Sequence, residues 1–262
     1  MSAAALLRNR SASLFAAALA FLPSLALAQT TPLPAARDLV ARHVAAIGGR
    51  DAVLRHPFFR ANGTFEMPAA GMSGELDIAG AQPNLVTMKI TIPGAGEMLQ
   101  GFDGTNGWAM DPFQGPRLIE GLELAQMMDE AEFASVLRES ANIASMETTE
   151  KVTLGSDECY KVKITWKSGR ESFDCYSATS GLLIGGFARQ ESPMGSIESV
   201  SEFKDYKDFS GLMQPTKITL TVMNQQQLMT FTSYEYGPLQ PAAFTPPPAI
   251  ATLITQKPAP RN

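Results

Sequence analysis

The segment GEMLQGFDGTNGWAMDPFQGPR, residues 96–117, decides the fold. Apolar Met98, Phe102, Trp108 and Met110 surround a short polar segment, Asp103 to Gly107. Three readings compete: an active-site loop, a calcium loop, and a bend between two strands that share an apolar side. A calcium loop needs alternating oxygen ligands ending in a distant Glu. Counted from Asp103, the third and fifth positions are Thr105 and Gly107, so that pattern fails. Asp-Gly and Asn-Gly supply the positive-φ positions that hairpin loops require. The segment reads as a β-hairpin, and the question becomes what its apolar side faces.

The flanking sequence extends the hairpin into a meander. Over residues 61–67, Gly63, Phe65 and Met67 alternate with Asn62, Thr64 and Glu66. Over 71–78, Met72, Leu76 and Ile78 oppose Ser73, Glu75 and Asp77. Over 86–92, Val86, Met88, Ile90 and Ile92 oppose Thr87, Lys89 and Thr91. Each run has one dry and one wet face, as half-buried antiparallel strands do. Turn residues at 69–71, 82–84 and 93–96 separate them. Further strands are expected over 151–154, 159–166, 170–176, 182–190, 196–206, 216–223 and 228–236.

Two segments carry helical periodicity instead. Leu39, Val40, Val44 and Ile47 recur at helical spacing before Gly48-Gly49. Residues 119–140 place Leu122, Ala125, Met128, Phe133, Val136 and Leu137 on one approximate stripe, with acidic residues around it. The fold class is therefore α+β and mainly antiparallel β: one strongly curved sheet with an N-terminal helix and a helical insertion.

The ends of the chain read as something other than fold. Arg8 and Arg10 precede an apolar stretch and the small-x-small site Ala26-Leu27-Ala28. This is the pattern of a signal peptide over 1–28, cleaved after Ala28, and it implies export to the periplasm. Residues 246–262 form a Pro-rich C-terminal tail. The whole chain of 262 residues has a net charge of −5. Removing 1–28 takes away two Arg and leaves 19 basic against 26 acidic residues, or −7. An acidic domain does not suit nucleic acid, whose phosphates need a basic surface.

Export also sets the reading of the two cysteines. Cys159 and Cys175 flank a hairpin, and both are odd-numbered. In any even-sum register they share a face, opposite or one pair off. A disulfide suits an oxidising compartment, with free thiols the alternative.

Catalytic signatures are missing. The histidines, His43 and His56, lie outside any His-Glu-x-x-His spacing, so no metal site is expected. Gly71-Met72-Ser73-Gly74-Glu75 lacks the last glycine of a nucleophile elbow. No phosphate loop or dinucleotide fingerprint occurs, so no cofactor is expected. What is abundant is methionine, thirteen in all, and Met is overused on surfaces that accept varied apolar partners. Filling of an ordinary core is the competing explanation.

HVAAIGGRDAVLRH at 43–56, FFRANGTFEMP at 58–68, GMSGELDI at 71–78 and residues 83–121, with GLMQPTKITL and PAAFTPPPAI later, resemble the broad LolA/LolB-like superfamily of exported proteins related to outer-membrane lipoprotein sorting. The resemblance covers nearly the whole mature chain. It implies an incomplete antiparallel barrel over 29–245, with helices closing its mouth and a cavity that takes acyl chains. On that reading Phe65, Met72, Leu76, Met88, Ile90, Met98, Phe102, Trp108 and Met110 line the cavity, and Leu122, Met128 and Phe133 belong to a lid. The expected protein is a monomeric, non-catalytic carrier of a lipid or acylated lipoprotein, working with membrane-bound donor and acceptor proteins. A sensor or protein-interaction module on the same fold is the alternative. A hydrolase using dispersed carboxylates is a third.

Overall fold

The computed structural model describes residues 32–192 and 195–257. The signal peptide expected over 1–28 and the last residues of the tail lie outside them. Thirteen antiparallel strands form one sheet, in the order β6-β5-β4-β3-β2-β1-β13-β12-β11-β10-β9-β8-β7. The first meander is β1 (Phe58–Met67), β2 (Met72–Ala81), β3 (Leu85–Ile92), β4 (Gly96–Phe102), β5 (Gly107–Asp111) and β6 (Gly115–Ile119). The second is β7 (Ile143–Leu154), β8 (Asp157–Trp166), β9 (Glu171–Ser177), β10 (Leu183–Ser192), β11 (Gly195–Phe209), β12 (Leu212–Val222) and β13 (Gln225–Glu235). They join where β1 pairs with β13, while β6 and β7 stay unpaired on their outer sides. The result is a curved, unclosed barrel. Residues 120–142 carry the chain from one free edge to the other.

Curvature has local causes. Register shifts interrupt β1 at Asn62/Gly63, β10 at Leu183/Gly185 and β7 at two places. Such bulges bend a strand and increase its twist. At Gly63 the β13 backbone comes so close that a Cβ would strike the Thr230 carbonyl, which explains glycine there.

Among the described residues, four helices pack on this frame. α1 (Ala36–Ala46) places Ala36, Leu39 and Val40 on Val162, Ile164, Trp166 and Tyr176 of the inner face. α2 (Arg50–Arg55) buries Ala52 and Val53 with Ile47, Leu137 and Leu212. α3 (Gly121–Ala131) sets Met127 and Ala131 against Phe102 and Ile119. α4 (Pro248–Gln256) packs beside β5 and β6 and buries Ile250 completely.

Several expectations change. The helix expected over 119–140 is shorter: Ile119 ends β6, and the helix stops where Glu132 leaves helical dihedrals, with a 3₁₀ turn at Ser135–Leu137 after it. Strand pairing to β5 captures 115–119, which periodicity had assigned partly to the helix. The second meander begins at Ile143 rather than 151. The tail contains a helix, because Pro248 suits the first helical turn and Ile250 gains burial.

The opening hairpin also differs in facing. Phe102 pairs with Gly107 across the loop, so even residues of β4 share a face with odd residues of β5. Trp108 and Met110 therefore lie on the opposite side from Met98 and Phe102. A shared face for all four would need an even-sum register; the four-residue loop imposes an odd one.

Cys159 and Cys175 form a disulfide with Cα atoms 5.4 Å apart. Cys159 pairs with Ser177 and Cys175 with Lys161, so the bridge runs one pair off opposite. It is fully buried with Leu154, packed by Phe187 and Val200.

Candidate ligand cavity

A cavity of about 380 Å³ lies between the inner face of the sheet and the helical segments. β1 supplies Phe59 and Ala61, and β2 supplies Ile78. β11, β12 and β13 supply Phe203, Tyr206, Ile218, Phe231 and Tyr234, and Tyr236 follows the end of β13. The roof comes from His43 and Ile47, from Val53 and His56, and from Phe133, Ser135 and Val136. These residues converge because β1 and β13 are neighbours and α1, α2 and the 3₁₀ turn cross the same inner face.

The lining contains no Asp, Glu, Lys or Arg. Its polar groups mostly satisfy one another. Leu183 N–H donates to His43 Nδ1 at 3.0 Å, and the Tyr206 hydroxyl donates to the Leu183 carbonyl at 2.6 Å. The Tyr234 hydroxyl donates to the Pro215 carbonyl at 3.1 Å, and Gln214 Nε2 donates to Tyr236 Oη at 3.1 Å. The His56 ring stacks on Tyr236 with centroids 4.2 Å apart. Burial pushes the His43 imidazole down to about 4, against a smaller upward pull from Asp174, so it is neutral at pH 7. Burial raises the Tyr206 and Tyr234 hydroxyls, which stay neutral too. The cavity presents uncharged, largely apolar surface. It can desolvate a greasy group; it has no activated nucleophile or charged acid–base pair.

Beneath the roof runs a buried ionic framework. Asp129 of α3 pairs with Arg170 at 3.0 Å and accepts from Asn142 at 3.3 Å. Arg170 also lies over the Trp166 ring, 4.7 Å from its centroid. Arg138, just past the 3₁₀ turn, grips Asp174 through two hydrogen bonds of 2.7 and 2.8 Å. The Tyr176 hydroxyl donates to the same carboxylate at 2.8 Å. Arg50 and Glu139 form a further, exposed pair. The segment between β6 and β7 is thus fastened to α2, to β9 and to the β8–β9 turn. Among the described residues no group of three or more His, Cys, Asp or Glu is arranged to hold a metal ion.

A second depression of about 720 Å³ has a different lining. Lys161, Arg170, Glu171, Arg189 and Glu198 surround Phe173, Phe187 and Leu122 there. Its charged rim suits water better than an apolar ligand.

The residues expected to form the site separate. Phe65, Leu76 and Ile90 are buried together in one inner-face cluster, with Met72, Met88 and Met98 packed around it. Phe102 lies under α3 with Met127. Trp108 is buried and Met110 half-buried on the other face. None of these nine is in the lining of the 380 Å³ cavity. Phe133 is in it, whereas Leu122 and Met128 are 61% and 42% exposed. The lining draws instead on Phe203, Ile218, Phe231 and the three tyrosines. Nothing in the strand patterns revealed that β13 neighbours β1.

No family model matches the sequence, and no curated protein does. Solved structures do resemble the fold. A LolA superfamily protein from Nitrosomonas europaea superposes with a TM-score of 0.54 at 12% identity, covering 82% of this chain and 99% of the other. A DUF1329 family protein from Desulfovibrio piger superposes with a TM-score of 0.55, also at 12% identity, covering 80% and 95%. The chain has the LolA-like fold.

Proposed function

We propose that the protein is an exported, non-catalytic binder and carrier of a lipid or lipoprotein acyl chain, held in the apolar interior of its open barrel. The observation that supports this most directly is the uncharged cavity of about 380 Å³ under the roof of α1, α2 and the 3₁₀ turn. A methylene is about the size of a water, whose share of liquid volume is about 30 Å³, so the cavity holds on the order of a dozen methylenes. At about 0.8 kcal/mol per buried methylene the gross gain is roughly 10 kcal/mol, before the costs of ordering. The inner-face residues Phe65, Met72, Leu76, Met88, Ile90, Met98 and Phe102 form an apolar continuation along which a longer chain extends. Residues 120–142, with Phe133, act as the lid. The site of action is the periplasm after cleavage behind Ala28, as a monomer between membrane-bound donor and acceptor. The LolA-like fold is consistent with this role.

Native mass spectrometry of residues 29–262, purified from periplasm without detergent, tests the reading. Acyl species at near-stoichiometric amounts, or uptake of added fatty acid, are expected. Ala61→Phe, which fills the cavity from β1, should keep the fold and abolish uptake. A clean apo mass with no uptake of fatty acid, phospholipid or acylated peptide would sink the carrier and favour a sensor or interaction module.

A further inference from the structure

His43 of α1 and Ser135 of the 3₁₀ turn both line the cavity of about 380 Å³, in a roof where the helix and the turn pack together. One hydrogen bond fixes the state of the histidine. Its Nδ1 accepts the Leu183 N–H at 3.0 Å, so that nitrogen offers a lone pair and the ring hydrogen sits on Nε2. Leu183 holds the ring in this tautomer because it is itself held: it opens β10, and its carbonyl accepts the Tyr206 hydroxyl at 2.6 Å. Among the described residues Nε2–H finds no acceptor, and the Ser135 hydroxyl makes no hydrogen bond. His56 Nε2, Trp108 Nε1 and Arg170 Nε also lack partners, but those three atoms are walled in, whereas His43 Nε2 is not. His43 is 2% exposed, so the little surface it keeps belongs to the cavity it lines.

We propose that His43 Nε2–H and the Ser135 hydroxyl anchor the carbonyl oxygen of an acyl ester or amide, so that the cavity selects an acyl chain with an uncharged head. The inference rests on the carrier reading and specifies its ligand. A donor left dry in an apolar cavity costs free energy, and an acceptor brought by the ligand recovers it. A carbonyl oxygen has two lone pairs, which match two donors. A pure hydrocarbon leaves both donors unused. An ionised carboxylate fits worse than an ester. The lining has no Lys or Arg to offset its desolvation, and the nearby Arg138 is held by Asp174 through hydrogen bonds of 2.7 and 2.8 Å. The Tyr206 and Tyr234 hydroxyls donate to backbone carbonyls and are spent. With the anchor in the roof, the strand residues Phe203, Ile218 and Phe231 remain for the methylenes.

The test uses residues 29–262 freed of bound lipid. Methyl laurate, N-methyl lauramide, sodium laurate and tridecane compete in turn with the uncharged fluorophore phenylnaphthylamine. Ser135→Ala removes one donor. His43→Asn removes the other and keeps an acceptor for Leu183. Each should weaken methyl laurate about tenfold beyond its effect on tridecane. If His43→Asn folds poorly, Ser135→Ala decides alone. Methyl laurate labelled at its carbonyl carbon should show an infrared carbonyl band that moves to lower wavenumber on binding, by less in either variant. Ester and amide share the carbonyl; the one that depends more on the two donors names a glycerolipid or an N-acylated lipoprotein as its source. Laurate should bind more weakly than methyl laurate. Equal weakening of methyl laurate and tridecane overturns the proposal and leaves the carrier standing. So does a carbonyl band that stays unshifted, or laurate binding tighter than its ester. If none of the four ligands binds, the carrier reading itself fails and the anchor falls with it.

Discussion

His43 sits on α1 with 2% of its surface exposed and accepts the Leu183 N–H through Nδ1. Burial lowers its pKa from 6.5 to about 4, so the unfolded chain binds its proton first as pH falls. Stability from this group is full above pH 6.5 and drains away between 6.5 and about 4. The loss is on the order of 3 kcal/mol. His43→Asn keeps an acceptor for Leu183 and removes the titration. Urea midpoints should then change less between pH 4.5 and 7.5 than in wild type; an unchanged slope would move the effect to another group. Arg138 and Asp174 present a different balance. Both side chains are mostly buried, at 17% and 10% exposure, and Tyr176 adds a third partner. Removing one ion strands the other, which costs about 3–5 kcal/mol for buried pairs. Arg138→Met should show that loss in chemical denaturation, and Arg138→Met with Asp174→Asn should recover part of it. If the double variant is as unstable as the single, the stranded carboxylate is not the cause.

The β8–β9 hairpin shows how far sequence alone reaches at the level of elements. Alternation around the turn at 167–169 sufficed to place both cysteines on one face, and the observed register puts them one pair apart. Cys159→Ala with Cys175→Ala should therefore lower stability by roughly 3 kcal/mol, the chain-entropy value for a loop of this size. Equilibrium urea unfolding of oxidised and double-variant protein checks this; equal midpoints would mean that the loop is already restrained when reduced. Period-two patterns were also enough for β1 to β4, whose dry faces match the inner cluster. They failed at β5, because parity within a strand does not fix register across a loop, and an odd sum turned Trp108 and Met110 outward. They failed again at the cavity. Its walls come from β1 beside β13, a contact between residues separated by most of the chain. No local pattern encodes such a pairing. The lid helix was half legible for a similar reason: Leu122 and Met128 fit its stripe, yet α3 turns Met127 and Ala131 to the sheet.

At the scale of the molecule, the barrel's gap sets what can move. Strands β6 and β7 are free edges, and residues 120–142 span between them. Every strand of the sheet is held by a ladder of backbone hydrogen bonds, whereas this segment is held by apolar contacts, a few ionic fastenings and isolated hydrogen bonds such as that from Phe133 N–H to the Pro83 carbonyl at 3.0 Å. Its opening should cost less than global unfolding, since local stability follows the density of such contacts. The Asp129–Arg170 pair is a more buried fastening on α3 than Glu123–Arg117, with side chains 6% and 10% exposed. Asp129→Asn leaves Arg170 under-compensated and loosens α3 while sparing the cavity walls. Hydrogen exchange should then accelerate over Gly121–Ala131 and leave β1 to β3 at wild-type protection. If the cavity holds an acyl chain, the same variant should release a fluorescent fatty acid about tenfold faster or more, with a smaller change in association, as expected when a lid governs escape. Faster exchange with an unchanged release rate would mean that α3 moves without gating, and that the ligand leaves between α2 and the ends of β12 and β13, where His56 and Tyr236 meet.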